Sequence, residues 1–207
     1  MNLLALDFET ADCGADSACS VGLVRIERGR IVETAHRLIR PPRRRFAFTY
    51  IHGISWRDVA NEPMFGELWA DLARLFDGAD YLVAHYAPFD RGVLRACCGA
   101  AGVPAPATPF VCTVKLARAA WSVRPTKLPD VCRHLGLDLR HHDAASDALA
   151  CARIALAAVA QGCPIAAGIL GERRGGHRRS VGPDRMAGGT GRAPVSPAVE
   201  GRAGIKR

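Results

Sequence analysis

Several familiar signatures are missing from this chain, and each absence narrows the reading. Its eight cysteines, at positions 13, 19, 97, 98, 112, 132, 151 and 163, contain no CxxC pair, which argues against a zinc ribbon or a disulfide framework. They stand among apolar neighbours, as reduced core cysteines do. No apolar run approaches the roughly 20 residues that span a bilayer, and no leader-like segment precedes Leu3. A reducing, cytoplasmic setting with no membrane contact is therefore expected. Nor is there an internal repeat.

What is present suits one core. The 207 residues are 49% hydrophobic, enough for one domain plus an appendage. The formal charge of +8 is unevenly spread. Gly171 to Arg207 carry eight Arg and one Lys against Glu172, Asp184 and Glu200, so the tail holds the basic character and the body is close to neutral. After about Ile169 the sequence becomes Gly, Arg, Pro, Ala and Ser without period, which reads as disordered. The expected division is a folded domain over residues 1–165 and a basic Gly/Arg/Pro-rich tail over 166–207. The tail's arginines either contact phosphate backbones without sequence preference or form a solvated solubility tail, since no aromatics interleave to stack bases.

Along the body, Asn2 to Phe8 reads as a central strand covered on both faces. Ser20 to Ile26 and Arg30 to Ile39, separated by Glu27-Arg28-Gly29, predict two antiparallel strands. Phe46 to Asp58 reads as a loop leading to a helix. Pro63 opens a periodic stretch through Phe76, with Phe65, Leu68, Trp69, Leu72, Leu75 and Phe76 on one helical face. Tyr81 to Ala84 and Phe110 to Thr113 predict short strands. Helices are expected from Pro88 to about Cys98, Val114 to Ala120, Leu128 to Leu135 and Asp143 to Val159. Strands first, then strands alternating with helices, predict an α/β fold with a mixed sheet. Trp56, Trp69 and Trp121 are expected in core or rim packing.

The chemistry concentrates in acids. Asp147 opens a helix made largely of alanine and leucine, with Asp143 and Cys151 four residues away and Ala144 and Ala150 three away. No lysine or arginine shares its helix face, and an unpaired carboxylate against an apolar surface is costly to bury. Asp7 and Glu9, two apart at the carboxyl end of the first strand, leave the same face within about 7 Å of each other. They form a metal half-site or merely mark the solvated end of a strand. Asp90 falls in the first turn of the helix opened by Pro88, where an acid also favours the helix dipole. Asp7 and Asp90 both sit at strand carboxyl ends, where ligands of α/β sheets collect. His142 lies on the loop before the last helix, from which a base can reach Asp147, and Asp143 reads as the N-cap of that helix. His141 and His134 read as a surface loop residue and a helix residue. Four acids and one histidine fit two-metal phosphodiester hydrolysis, with ions about 4 Å apart. All-carboxylate ligation favours magnesium or manganese over zinc, and His142 has a near-neutral pKa suited to taking the proton from water.

Three stretches, Asp7-Phe8-Glu9-Thr10, His85 to Asp90, and His142 with four residues before Asp147, resemble the three motifs of the DEDDh 3′ to 5′ exonucleases. That family includes the epsilon proofreading subunit of bacterial DNA polymerase III and its stand-alone relatives. Ser17 to Gly22, His52-Gly53-Ile54, Cys112-Thr113 and Leu128 to Gly136 extend the likeness over roughly residues 1 to 160. The resemblance implies an RNase H-like fold and release of nucleoside 5′-monophosphates from 3′ ends, in proofreading or repair. It implies Asp7, Glu9, Asp90 and Asp147 as catalytic acids binding two Mg²⁺ or Mn²⁺ ions, and His142 as general base. Thr10 and His52 would help hold the terminal nucleotide. Asp143, not tyrosine, stands four before Asp147, so the tyrosine-type branch does not fit. Tyr86 replaces the Asn often found after the second-motif histidine. Thr10-Ala11-Asp12 differs from the Thr-Thr-Gly of the proofreading subunit, which argues for a stand-alone relative, and the tail lacks a glutamine-leucine clamp-binding segment.

The expected partner is a nucleic acid with a free 3′ end, DNA before RNA, with a replication or repair polymerase as a further candidate. Two rivals stand beside the main expectation. An RNA 3′-trimming exoribonuclease shares the same five residues, and discrimination at the sugar rests on 2′-OH contacts that carry no sequence signal. A non-catalytic nucleic-acid-binding module would be expected to lose at least one acid, and none is missing.

Overall fold

The computed structural model describes residues 1–170; the basic tail, with its expected disorder and phosphate contacts, lies outside the described residues. Strand β1 (Asn2–Thr10) is the centre of a five-stranded sheet of order β3-β2-β1-β4-β5. It pairs antiparallel with β2 (Ala18–Glu27) on one side and parallel with β4 (Tyr81–Ala84) on the other, while β5 (Phe110–Cys112) adds in parallel to β4. β2 and β3 (Arg30–Leu38) form a hairpin whose two turn residues, Arg28 and Gly29, have φ of 50° and 78°. Positive φ at both positions is the turn geometry that matches the natural twist of paired strands. The mixed α/β sheet expected from the pattern is thus the one observed.

Two short helices, α1 (Thr49–His52) and α2 (Trp56–Val59), occupy the loop expected before the first long helix, α3 (Phe65–Phe76). The later helices are α4 (Pro88–Ala100), α5 (Thr113–Trp121), α6 (Leu128–Leu135) and α7 (Ala144–Ala160). Alternation along β1 sorts the layers. Leu4, Leu6 and Phe8 pack with the apolar faces of α3 and α4, whereas Leu3 and Ala5 face α7 across Ala148, Cys151, Ala152 and Ala155. The opposite side of α7, at Ala150 and Ile154, packs on Ala117 of α5 and on Leu128 and Val131 of α6. A helix buried on two sides needs small residues to lie close to both, which accounts for its alanines. Trp69 stacks between Phe65 and Phe76 at 5.4 and 5.5 Å, in line with a packing role.

Arg25, buried in β2, donates from Nη1 to the carbonyls of Leu75 and Asp77 at 2.9 and 2.8 Å, satisfying the end of α3. The described fold continues past residue 165: Ile165–Gly168 forms a 3₁₀ turn, Ile169 bridges Val111, and the Leu170 amide donates to the Phe110 carbonyl. All eight cysteines are free, and six are buried as expected. Cys13 departs from that expectation and is exposed, because it sits in the loop after β1 rather than on a core face. Among the described residues no helix is long and apolar enough to cross a membrane.

One close approach fixes α7 in place. Gly22 pairs with Asp7 across β1 and β2, and a β-carbon at Gly22 would collide with the Ala144 carbonyl and lie 2.7 Å from the Ala145 amide nitrogen. The first turn of α7 therefore rests directly on the strand beside Asp7. Gly22→Ala is expected to cost about 1–3 kcal/mol through overpacking, seen as a lower urea midpoint; an unchanged midpoint would contradict this close packing.

Candidate active site

Asp7 and Glu9 continue the β1 face that Leu3 and Ala5 begin, so both carboxylates leave the strand toward the start of α7. There they meet Asp147, which is 3% exposed in the first turn of α7. One carboxylate oxygen from each of the three lies within 4.8 Å of the others. Asp90 approaches from the other side. β4 pairs only with Leu3, Leu4 and Ala5, which leaves the Phe8 amide beyond the ladder, and Asp90 Oδ1 accepts from it at 3.1 Å. Asp90 is itself 1% exposed. The structure thus brings the four sequence-identified acids to one end of the sheet, with Asp90 anchored to the backbone of β1 rather than within the tight group of three.

Burial and mutual repulsion act together on these groups. Burial, then the charges of Asp90, Asp147 and Glu9, push the Asp7 carboxyl well above its ordinary range. Glu9 is raised to about 7 by burial and by Asp147 and Asp143. Asp90 is raised to about 8, chiefly by burial, although the Phe8 amide pulls it down. Asp147 is raised by burial, against the lowering effect of its bonds from the His142 amide and from His141. Among the described residues no lysine or arginine pairs with any of the four. Asp147 Oδ1 is buried without a hydrogen-bond partner, and a buried acceptor left unmatched is costly. Hard carboxylate oxygens converging on one point, one of them orphaned, fit a divalent cation.

The histidines lie at the mouth of this cluster. His142 sits in the turn before α7 with φ of 67°, and its amide donates to Asp147 Oδ2 at 3.1 Å. Its ring stacks on His141 at 3.8 Å. Burial and the His141 charge lower its pKa, keeping the ring neutral and able to accept a proton near neutral pH. His141 corrects the sequence expectation of a plain loop-surface residue: it is exposed, but its Nδ1 donates to Asp147 Oδ2 at 3.0 Å. The left-handed turn at His142 is what presents both rings to one carboxylate. Asp143 caps α7 as expected, accepting from the Ser146 amide at 3.0 Å. His134 stays on α6, against Trp121.

Thr10 and His52 meet at the end of β1. The Ile54 amide donates to His52 Nδ1 at 3.1 Å, so Nε2 carries the proton and donates to the Thr10 carbonyl at 3.1 Å. His52 thereby pins the α1 loop to β1, and both its nitrogens are occupied. Arg43 reinforces the same region: it forks onto Asp12 at 3.0 and 3.1 Å and also reaches Asp16. This pair holds the Asp12 carboxyl down to about 2.

Two further residues of the cleft, Lys127 and Arg118, carried no sequence signal, and His85, the histidine of the second motif, braces the segment that carries one of them. His85 is held by the Thr113 hydroxyl at 2.7 Å and donates from Nε2 to the Thr126 carbonyl at 3.0 Å. Burial lowers its pKa to about 4, so it is a neutral brace rather than a cation. That brace secures the segment carrying Lys127, which together with Arg118 supplies positive charge to the same cleft of about 470 Å³ as Asp7, Glu9, Tyr86, His142 and Asp147. A separate apolar cavity lined by Ile39, Pro41, Phe65 and Ala101 contains none of the four acids.

Comparison with known proteins agrees with this geometry. Residues 4–155 match the family model described as exonuclease. DNA polymerase III PolC-type of Thermotoga petrophila is 32% identical over 159 residues, and that of Clostridium perfringens 30% over 156 residues. These matches cover 74% and 73% of this chain but 11% of each relative, so the chain spans about a tenth of their length. Among solved structures, Exonuclease X in complex with 5′-overhanging duplex DNA superposes with a TM-score of 0.61 at 24% identity, covering 80% of this chain and 96% of that one. A 3′-exonuclease recognising a histone mRNA stem-loop gives 0.64 at 19% identity, covering 81% and 84%. E. coli Exonuclease I with an oligonucleotide gives 0.63 at 16% identity, covering 75% and 40%. The shared fold is RNase H-like.

The raised carboxyls make stability depend on pH. In the folded, metal-free protein Glu9 and Asp90 hold protons up to about 7 and about 8, whereas the unfolded chain releases them near about 4. Their contribution to stability is complete below about pH 4 and is lost as pH rises through the folded values. The melting temperature in EDTA is therefore expected to fall from about pH 5 to pH 8.5. Asp7→Asn should flatten that fall and raise the melting point at pH 8 by about 2–4 °C for each kcal/mol of repulsion removed. Identical slopes in wild type and variant would contradict the repulsion.

Proposed function

The chain belongs to the exonuclease family, and on that premise we propose that it is a divalent-metal-dependent 3′ to 5′ exonuclease releasing nucleoside 5′-monophosphates from single-stranded or frayed DNA. The observation that carries this reading is the group of Asp7, Glu9 and Asp147 oxygens within 4.8 Å of one another around an unpartnered Asp147 Oδ1. A phosphodiester is an anion attacked by water, so its hydrolysis needs positive charge at the phosphate and a base for the water. Among the described residues no lysine or arginine pairs with the acids, but the acids themselves are ligands for cations.

Asp7, Glu9, Asp90 and Asp147 would hold two Mg²⁺ or Mn²⁺ ions, since hard oxygen ligands favour these over zinc. When bound, such ions supply a more acidic attacking water and charge neutralisation at the phosphate and the leaving 3′ oxygen. His142, kept neutral by its surroundings, takes the proton of the attacking water as the new oxygen–phosphorus bond forms and the bond to the 3′ oxygen breaks. His141 holds Asp147 Oδ2 and leaves Oδ1 without a partner, so that Oδ1 would be available to a cation. Thr10 and His52 border the terminal nucleotide, His52 through its ring face because both nitrogens are in use. Lys127 and Arg118 line the same cleft and would meet the strand's phosphates there.

DNA is favoured as substrate because the sequence relatives are DNA polymerases; the fold alone does not separate the sugars, as its neighbours include both a DNA-bound enzyme and an mRNA-recognising one. A purely binding role would leave four costly acids without a use.

The test is incubation with 5′-labelled single-stranded DNA and RNA of one sequence, with Mg²⁺ or Mn²⁺. A ladder shortening from the 3′ end of DNA, abolished by EDTA and by Asp7→Ala, is expected; faster shortening of RNA would move the substrate to RNA, and no shortening of either would overturn the reading. His142→Ala is expected to lower kcat by about 100-fold or more while keeping the metal-induced rise in melting temperature. Asp147→Ala should lose both, and a His142→Ala enzyme with unchanged kcat would remove His142 as the base.

A further inference from the structure

Tyr86 is placed where its side chain has no packing role. It links β4 to α4 with φ of 56° and is 66% exposed. Left-handed backbone suits Gly or Asn, and a bulky residue that keeps it is held there by its surroundings, a situation that clusters at ligand sites. The surroundings are visible on both sides. His85, immediately before, is fixed through both ring nitrogens. Ala87, immediately after, is fully buried, and the Phe89 amide donates to the Tyr86 carbonyl at 3.0 Å. The phenol ring is thus presented on a rigid base, so little freedom is lost when it meets a ligand.

It is presented into the cleft that holds Asp7, Glu9, His142 and Asp147, and Arg118 and Lys127 line the same cleft. Phe8, the other tyrosine-, tryptophan- or phenylalanine-type side chain of that lining, is buried in the core at 3% exposure. An exposed aromatic face in the same cleft as two cations is the combination that grips single-stranded nucleic acid, the cations taking phosphates and the ring taking a base. Resting on the exonuclease reading above, we propose that Tyr86 is a base-stacking residue that seats one of the last unpaired nucleotides of the substrate beside the acids, selecting ends whose bases are free to stack.

Tyr86→Phe, Tyr86→Asn and Tyr86→Ala separate the ring from the backbone, because Asn tolerates the left-handed conformation without an aromatic face. Each variant is assayed for kcat and KM on a labelled single-stranded DNA. The same assays are run on four versions carrying an abasic residue at one of the last four positions, and binding is followed in EDTA by fluorescence anisotropy. Tyr86→Phe is expected to match wild type. Tyr86→Asn and Tyr86→Ala are expected to raise KM and Kd about tenfold on the fully based strand, and to equal wild type on one of the abasic strands. A Tyr86→Asn protein that matches Tyr86→Phe overturns the proposal, as does a deficit that persists unchanged on all four abasic strands, which would mark a structural role. Wild-type protein that binds but cleaves nothing would strike the exonuclease reading instead, while the binding comparison still decides the stacking role.

Discussion

Four carboxylates drawn out of water at one end of the sheet repel each other, and that repulsion is the constraint the rest of this fold serves. Asp7, Glu9, Asp90 and Asp147 are each raised in pKa by burial first and by neighbouring acids or despite local hydrogen bonds second. A folded protein keeps such a cluster only if the surrounding packing compensates for it, and local conflict of this kind is expected where a site must bind something that the chain lacks. Here the missing component is positive charge. On the proposed reading, the cations complete the electrostatics and the chemistry at once.

The compensating packing can be traced through the layers. β1 carries apolar side chains on both faces up to Asp7 and Glu9, so its acids are held at the end of a strand that cannot shift without disturbing both cores. Gly22 lets the first turn of α7 settle on the sheet directly beside Asp7, and the alanines of α7 allow it to stay close between the sheet and α5 and α6. Asp90 is fixed by the Phe8 amide, which lies beyond the short pairing of β1 with β4. The acids are therefore held by three anchors, β1 for Asp7 and Glu9, the Phe8 amide for Asp90 and α7 for Asp147. Movement of one anchor alters the distance between charges rather than merely loosening a loop.

Much of this was legible in the sequence for reasons that can be named. Period-two alternation placed Asp7 and Glu9 on one face, Pro88 placed Asp90 in a first turn, and the absence of any cation on its helix face marked Asp147. The strands and helices followed from apolar periodicity, which reports burial directly. What stayed hidden depends on one left-handed turn or on contacts between distant segments, neither of which leaves a period. The bond from His141 to Asp147 depends on a left-handed turn at His142. The bracing of Thr126 by His85 links residues far apart in sequence, and the Arg43 fork onto Asp12 and Asp16 joins two loops. Gly22 was legible only as a family landmark, because what requires it is the close approach of α7, a contact across the sequence.

The most direct measurement is calorimetric titration of the metal-free protein with Mn²⁺ at about pH 7, repeated in buffers of different ionisation enthalpy so that released protons are counted. Because the folded carboxyls hold protons that a cation must displace, the account predicts saturable binding of two ions with net proton release, lost in Asp7→Asn. Binding without proton release, or binding that Asp7→Asn leaves intact, would contradict the claim that these four acids form the metal centre.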